Sequence, residues 1–166
     1  MTVAGVLLAG GRAKRMGGGD KGLRTLGGRT IMDYIVERVR PQVAVLLINA
    51  NGDPGRFSGY GLPVIADVIS DESGGFAGPL AGVLTGMEWA AANQPQCSWV
   101  ATFACDAPFA PSDLVARFVA AVEEEGAAMA CAASRGRAHP VFGLWPVALA
   151  GDLRRAMEEE DMRKID

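Results

Sequence analysis

The stretch Leu8-Ala-Gly-Gly-Arg-Ala-Lys-Arg-Met-Gly-Gly-Gly-Asp-Lys21 constrains the chain more than any other. It follows a short apolar run, residues 3–9, and precedes a segment with helical periodicity. Glycine lets backbone N–H groups approach a ligand where a Cβ would obstruct. Successive N–H groups near a helix start form a concave anion site. Arg12, Lys14, Arg15 and Lys21 add positive charge beside that cradle. A strand, a glycine cradle and cations in this order are what a polyphosphate needs.

Two familiar phosphate motifs do not account for it. Gly17-Gly-Gly-Asp-Lys-Gly22 has the spacing G-x-G-x-x-G, yet it lies several residues beyond the apolar run. No strand ends in an acid at the distance a dinucleotide fold requires. A Walker loop is excluded, because Lys21 is followed by Gly22 and no G-K-[ST] occurs.

Beyond the loop, apolar runs alternate with helical patterns. Residues 3–9, 43–48, 63–66, 98–105, 127–133 and 141–145 read as strands. Ile31, Ile35, Val36 and Val39 form a helical stripe that Pro41 stops. A second helix opens at Pro79, with Leu80, Val83, Leu84 and Met87 on its buried face. A third has Ser112 as N-cap and a stripe from Leu114 to Val122, and residues 147–157 make a fourth. Residues 51–61 read as an exposed, turn-rich connection.

The order β-α-β-α implies an α/β fold of three layers, α/β/α, around a mainly parallel sheet. Right-handed crossovers then bring Leu8-Ala-Gly-Gly11, Asn49, Asp67 and Asp106 to one rim, where such sheets bind ligands.

With 166 residues, 49% of them hydrophobic and 21% charged, one domain with a substantial core is expected. No stretch reaches the roughly 20 apolar residues of a membrane helix, and the N-terminus lacks a secretory pattern. A net charge of −3 argues against wholesale nucleic-acid binding. Cys97, Cys105 and Cys131 are odd in number without metal-like spacing, as suits reduced thiols packed as small apolar groups. These features read as a cytoplasmic chain.

Asp106 closes an apolar strand in Phe103-Ala-Cys-Asp-Ala-Pro108. A carboxylate at that rim suits Mg²⁺, a hard ion that accompanies phosphates, or else it caps a turn. Asn49 and Asp67, taken alone, read as helix or turn caps. Gly78-Pro-Leu-Ala-Gly82 reads as a helix start with small residues for close packing. His139 reads as structural, Trp89, Trp99 and Trp145 as core or partner-facing residues, and Glu158-Glu-Glu-Asp161 as a solvated helix face. With a single histidine, no Ser/His/Asp or Cys/His arrangement emerges.

The string L-A-G-G-x-A-x-R-M-G-x-x-D-K resembles the signature of nucleotidyltransferases that couple an NTP to a phosphate. It looks most like that of the molybdenum cofactor guanylyltransferase family. The resemblance covers most of residues 3–157 and includes the C-D-x-P and G-P-L-A-G blocks. It implies a Rossmann-like sheet of the nucleotide-diphospho-sugar transferase type and transfer of GMP from GTP to the terminal phosphate of molybdopterin, with release of pyrophosphate. By this resemblance Leu8, Ala9, Gly10, Gly11, Arg15, Gly18, Lys21, Asn49, Asp67, Gly78, Pro79, Leu80, Ala81, Gly82 and Asp106 border the nucleotide. Asp106 is the implied Mg²⁺ ligand, and Lys21, Arg15 and Asp106 are the implied catalytic groups.

His139 lies in a His-Pro pair that the resemblance sets on the pterin side. Transient contacts with molybdoenzymes or cofactor-delivery proteins are implied too, without nucleic acid or membrane. Family members usually continue with another strand, an Asn-containing motif and a final helix, so residues 1–166 are expected to form one nucleotidyltransferase domain short of that segment. Two alternatives remain: a sister enzyme using CTP with molybdopterin or another NTP with a sugar or alditol phosphate, and a non-catalytic carrier of the finished dinucleotide cofactor.

Overall fold

The computed structural model describes residues 1–10, 20–70 and 78–159. In chain order its strands are β1 (Val3–Leu8), the short β2 (Thr25–Leu26) and β3 (Arg29–Thr30), β4 (Val45–Asn49), β5 (Val64–Ile65), β6 (Trp99–Ala104), β7 (Ala130–Ser134) and β8 (Arg137–Pro146). The helices are α1 (Ile31–Val39), α2 (Pro79–Asn93), α3 (Leu114–Glu125) and α4 (Ala150–Glu159). Six strands make one sheet in the order β5-β4-β1-β6-β8-β7, while β2 and β3 form a separate ribbon. β5, β4, β1 and β6 are parallel neighbours.

Successive residues of the central strands supply the two faces of the sheet, as the period of two demands. Leu7, Ile48 and Phe103 pack with Met32 and Ile35 of α1 and with Leu114 and Phe118 of α3. From the opposite face, Val6, Leu47 and Val100 pack with Val83, Met87 and Ala90 of α2. Helices on both faces leave β1 dry, which is why it reads as a continuous apolar run. The expected three layers are present.

Local chemistry sets the helix starts. Thr30 accepts from the Asp33 amide while the Asp33 carboxylate accepts from the Thr30 amide, a capping box. Gly78, at φ 89°, turns the chain so that Pro79 opens α2. A Cβ at Gly86 would run into Val6, so α2 lies unusually close to the sheet. On its outer side Arg154 of α4 grips Glu88 through Nε and Nη2, at 2.7 and 2.8 Å. α2 is consequently buried nearly all round.

One expectation is corrected and two are refined. The N-cap of α3 is Asp113 and not Ser112, and its carboxylate pairs with Arg117 at 2.8 Å instead of capping. The Val115 amide is capped from another element, by Gln42 Oε1 at 2.9 Å. The connection before β5 is largely exposed, as expected, but it holds a 3₁₀ turn, Pro54–Tyr60, anchored by the buried Phe57. The last two strands do not continue the parallel alternation. β7 and β8 form a hairpin, and β8 runs antiparallel to β6. Arg135 and Gly136 both have positive φ, the two-residue turn that matches strand twist.

Candidate active site

Leu8 lies opposite both Asn49 and Ala104, so β1, β4 and β6 end flush. The Ala9 amide donates to the Asn49 carbonyl at 2.9 Å, and Gly10 emerges between the two neighbouring strands. This is the expected rim, with two polar walls.

The first wall is built on β4 and β5. Asn49 is only 1% exposed, and its Nδ2 donates to Asp67 Oδ1 at 2.9 Å. Asn51 Nδ2 donates to the other carboxylate oxygen at 2.7 Å, and its Oδ1 accepts from the Asp67 amide at 2.8 Å. Two amides therefore fix one carboxylate, whose remaining lone pairs stay available to a donor on a ligand. Gly82 of α2 closes the wall, because a Cβ there would overlap Asn49 Oδ1 and Leu8 Cδ2. Thr85 Oγ1, one turn on, accepts from the Val68 amide at 3.0 Å. Leu80 and Ala81 are buried and turn their side chains into the core, so only their backbone is free to border a ligand.

The second wall holds a cation and a carboxylate. Lys21 starts a 3₁₀ turn, Lys21–Leu23, and Gly22 packs against Cys105, where a Cβ would stand 3.2–3.3 Å from its carbonyl, Cβ and Sγ. That close approach sets Lys21 Nζ 3.6 Å from Asp106 Oδ2, with both side chains more than 40% exposed. At such exposure the pair adds little to stability, and both groups remain accessible. Burial, with the Asp106 charge beside it, pushes the Cys105 thiol up to about 11, so it stays a packed, protonated group.

Among the described residues, no three His, Cys, Asp or Glu side chains gather as a metal-binding group. Asp106 offers one exposed hard-oxygen donor, which fits an ion that takes its other ligands from water and phosphate. His139 instead faces Ser134 Oγ at 2.8 Å across the hairpin. It lines an apolar cleft of about 630 Å³ between α3 and the hairpin, which reaches Ala107 and Pro108. Trp145 donates to Thr102 Oγ1 at 3.0 Å, and Trp89 and Trp99 pack on the core.

Gly11, Arg12, Lys14, Arg15 and Gly18 lie outside the described residues. Within them the structure adds Asn51, Asp20 and Arg56, which the sequence reading passed over. Asn51 was within reach of that reading, since residues i and i+2 of an extended chain share a face.

Residues 5–166 match the family described as MobA-like NTP transferase domain. The chain belongs to this family. It is an α/β nucleotidyltransferase, and its resemblance to the molybdenum cofactor guanylyltransferases is borne out. The molybdenum cofactor guanylyltransferase of Rhodopseudomonas palustris (strain BisB5) is 53% identical over 161 residues, which span 97% of this chain and 75% of that protein. Among solved structures, molybdopterin-guanine dinucleotide biosynthesis protein A from Archaeoglobus fulgidus superposes with a TM-score of 0.70 at 19% identity. It covers 99% of this chain and 76% of its own. A manganese complex of a Mycobacterium tuberculosis protein gives a TM-score of 0.66 at 17% identity over 93% of this chain and 76% of that one. At these identities the structures speak for the fold alone, a mostly parallel sheet of the nucleotide-diphospho-sugar transferase type.

Proposed function

We propose that this chain transfers GMP from GTP to the terminal phosphate of molybdopterin and releases pyrophosphate. The observation that carries the reading is the pairing of two unlike walls on one rim. A carboxylate fixed by Asn49 and Asn51 suits the donors of a nucleoside, and Lys21 beside Asp106 suits a polyphosphate. The names of relatives at about half identity supply the guanylyl group and the molybdenum cofactor.

In this reading the acceptor's phosphate oxygen attacks the α-phosphorus of GTP, and the α–β phosphoanhydride bond breaks as pyrophosphate leaves. Such transfers rest on positioning and charge stabilisation, so no protein nucleophile is required. Lys21 stabilises charge developing on the leaving pyrophosphate. Asp106 is the residue that would hold a divalent ion, Mg²⁺ in our reading, which neutralises phosphate charge when bound. A protein of like fold is known as a manganese complex, in keeping with a divalent ion in this reading. Arg15 adds a second donor set to the phosphates. We further take residues 1–166 as a single nucleotidyltransferase domain acting in the cytoplasm, with transient hand-over of product to molybdoenzymes or delivery proteins. No described helix is long and apolar enough to cross a membrane.

The test is calorimetric titration with GTP, CTP, ATP and UTP, each with and without Mg²⁺, followed by pyrophosphate release with molybdopterin. Selective GTP binding that Asp106→Ala weakens is expected. Lys21→Ala should lower turnover roughly 10²- to 10³-fold, the scale of losing one preorganised donor. A preference for CTP would move the assignment to cytidylyl transfer. Tight binding of the dinucleotide product without any turnover would make the chain a carrier.

A further inference from the structure

Arg56, in the 3₁₀ turn Pro54–Tyr60, ties the two walls of the rim together, and the reaction as described leaves it unused. Its Nε donates to Asp20 Oδ2 at 2.6 Å, its Nη2 to the Asn51 carbonyl at 2.7 Å, and its Nη1 to the Asp53 carbonyl. The guanidinium lies over the ring of Phe57, 4.6 Å from the centroid, and that ring is buried. Its donors and one flat face are thus engaged, an arrangement that an ammonium does not reproduce. Asn51 leads on to Asp67, and Asp20 immediately precedes Lys21. The Arg56 and Asp20 side chains are only 25% and 23% exposed.

Asp20 is an awkward neighbour for a polyphosphate. A bare carboxylate one residue before Lys21 would repel the incoming phosphates and compete with Asp106 for the ammonium. Its partial burial makes such repulsion stronger than at an open surface. We infer that Arg56 is a positioning residue for nucleotide binding: it neutralises Asp20 and holds that carboxylate against the Pro54–Tyr60 turn, leaving Lys21 to Asp106 and the phosphates. Through the Asn51 carbonyl the same guanidinium fixes the segment whose side chain orients Asp67. The inference rests on the nucleotidyltransferase reading of the rim.

The experiment measures GTP binding with Mg²⁺ by calorimetry, together with KM and kcat. It compares the parent chain with Arg56→Gln, Arg56→Lys, Asp20→Asn and the double variant Arg56→Gln/Asp20→Asn. Arg56→Gln should weaken GTP about tenfold, in KM more than in kcat, as expected for one uncompensated charge near the ligand. Arg56→Lys keeps the charge but not the contacts to the Asn51 and Asp53 carbonyls, and should recover only part of that loss. The double variant should return to within about threefold of the parent, because no unpaired carboxylate remains. Asp20→Asn alone, which removes no brace from the Asn51 and Asp53 carbonyls, should bind GTP at least as tightly as the parent. Unchanged binding by Arg56→Gln, a double variant no better than it, or weaker binding by Asp20→Asn would each overturn the inference. A parent chain that binds no nucleotide would overturn the nucleotidyltransferase reading itself, and this inference with it.

Discussion

Cys105 illustrates how a single residue serves two neighbours at once. It follows β6, receives Gly22 against its backbone and side chain, and precedes Asp106. The thiol stays protonated because burial and the Asp106 charge both oppose a thiolate. Its ordinary value of 9.0 is raised to about 11. Between those values the unfolded chain releases a proton that the folded chain keeps, so stability is full below pH 9 and declines toward pH 11. Urea unfolding at pH 8 and pH 10.5 should show that decline, and Cys105→Ala should lessen it. Cys97, also raised by burial, pulls the same way and leaves a residual slope in the variant. An identical decline in the variant would remove Cys105 as its source.

Among the elements, α2 carries the tightest constraint, because Gly82 and Gly86 press one helix face onto β1 and Asn49. Gly82→Ala should destabilise the protein by about 1–3 kcal/mol, the usual cost of overpacking, despite the better helix propensity of alanine. It should also weaken nucleotide binding by displacing Asn49, which thermal melts and titration would check together. A variant with normal stability and normal affinity would show that α2 can withdraw without disturbing the rim.

This element also shows what the sequence discloses. The G-P-L-A-G string and the stripe through Met87 located α2, and β1, β4 and β6 were legible as apolar runs, because local period and turn chemistry are properties of neighbouring residues. The cap of α3 was not legible, since Gln42 reaches it from a distant segment. Neither was Arg56, an arginine in a turn whose partners, Asp20 and Asn51, meet it only through the fold. The hairpin was half legible. Its strands show as apolar runs, but the reversal rests on a positive φ at Arg135, a residue type that does not announce one.

For the whole molecule, the strand order has a temporal consequence. β1 is made before β4 and β6, yet it sits between them, with Val3 opposite Trp99. Its second edge finds no partner until residues 99–104 exist. At roughly 5–20 residues per second of synthesis, that wait is on the order of 5–20 seconds. During it the apolar strand presents an open hydrogen-bonding edge, the condition that invites pairing with other chains. Nascent chains arrested before residue 98 clears the ribosome should therefore stay sensitive to brief proteolysis near β1, and chains arrested after β8 has emerged should resist it. Protection already complete in the shorter chains would mean that β4 and α1 alone shelter the strand. In a growing cell, the apolar strand that leads into the glycine-rich stretch is thus also one in need of a chaperone's cover.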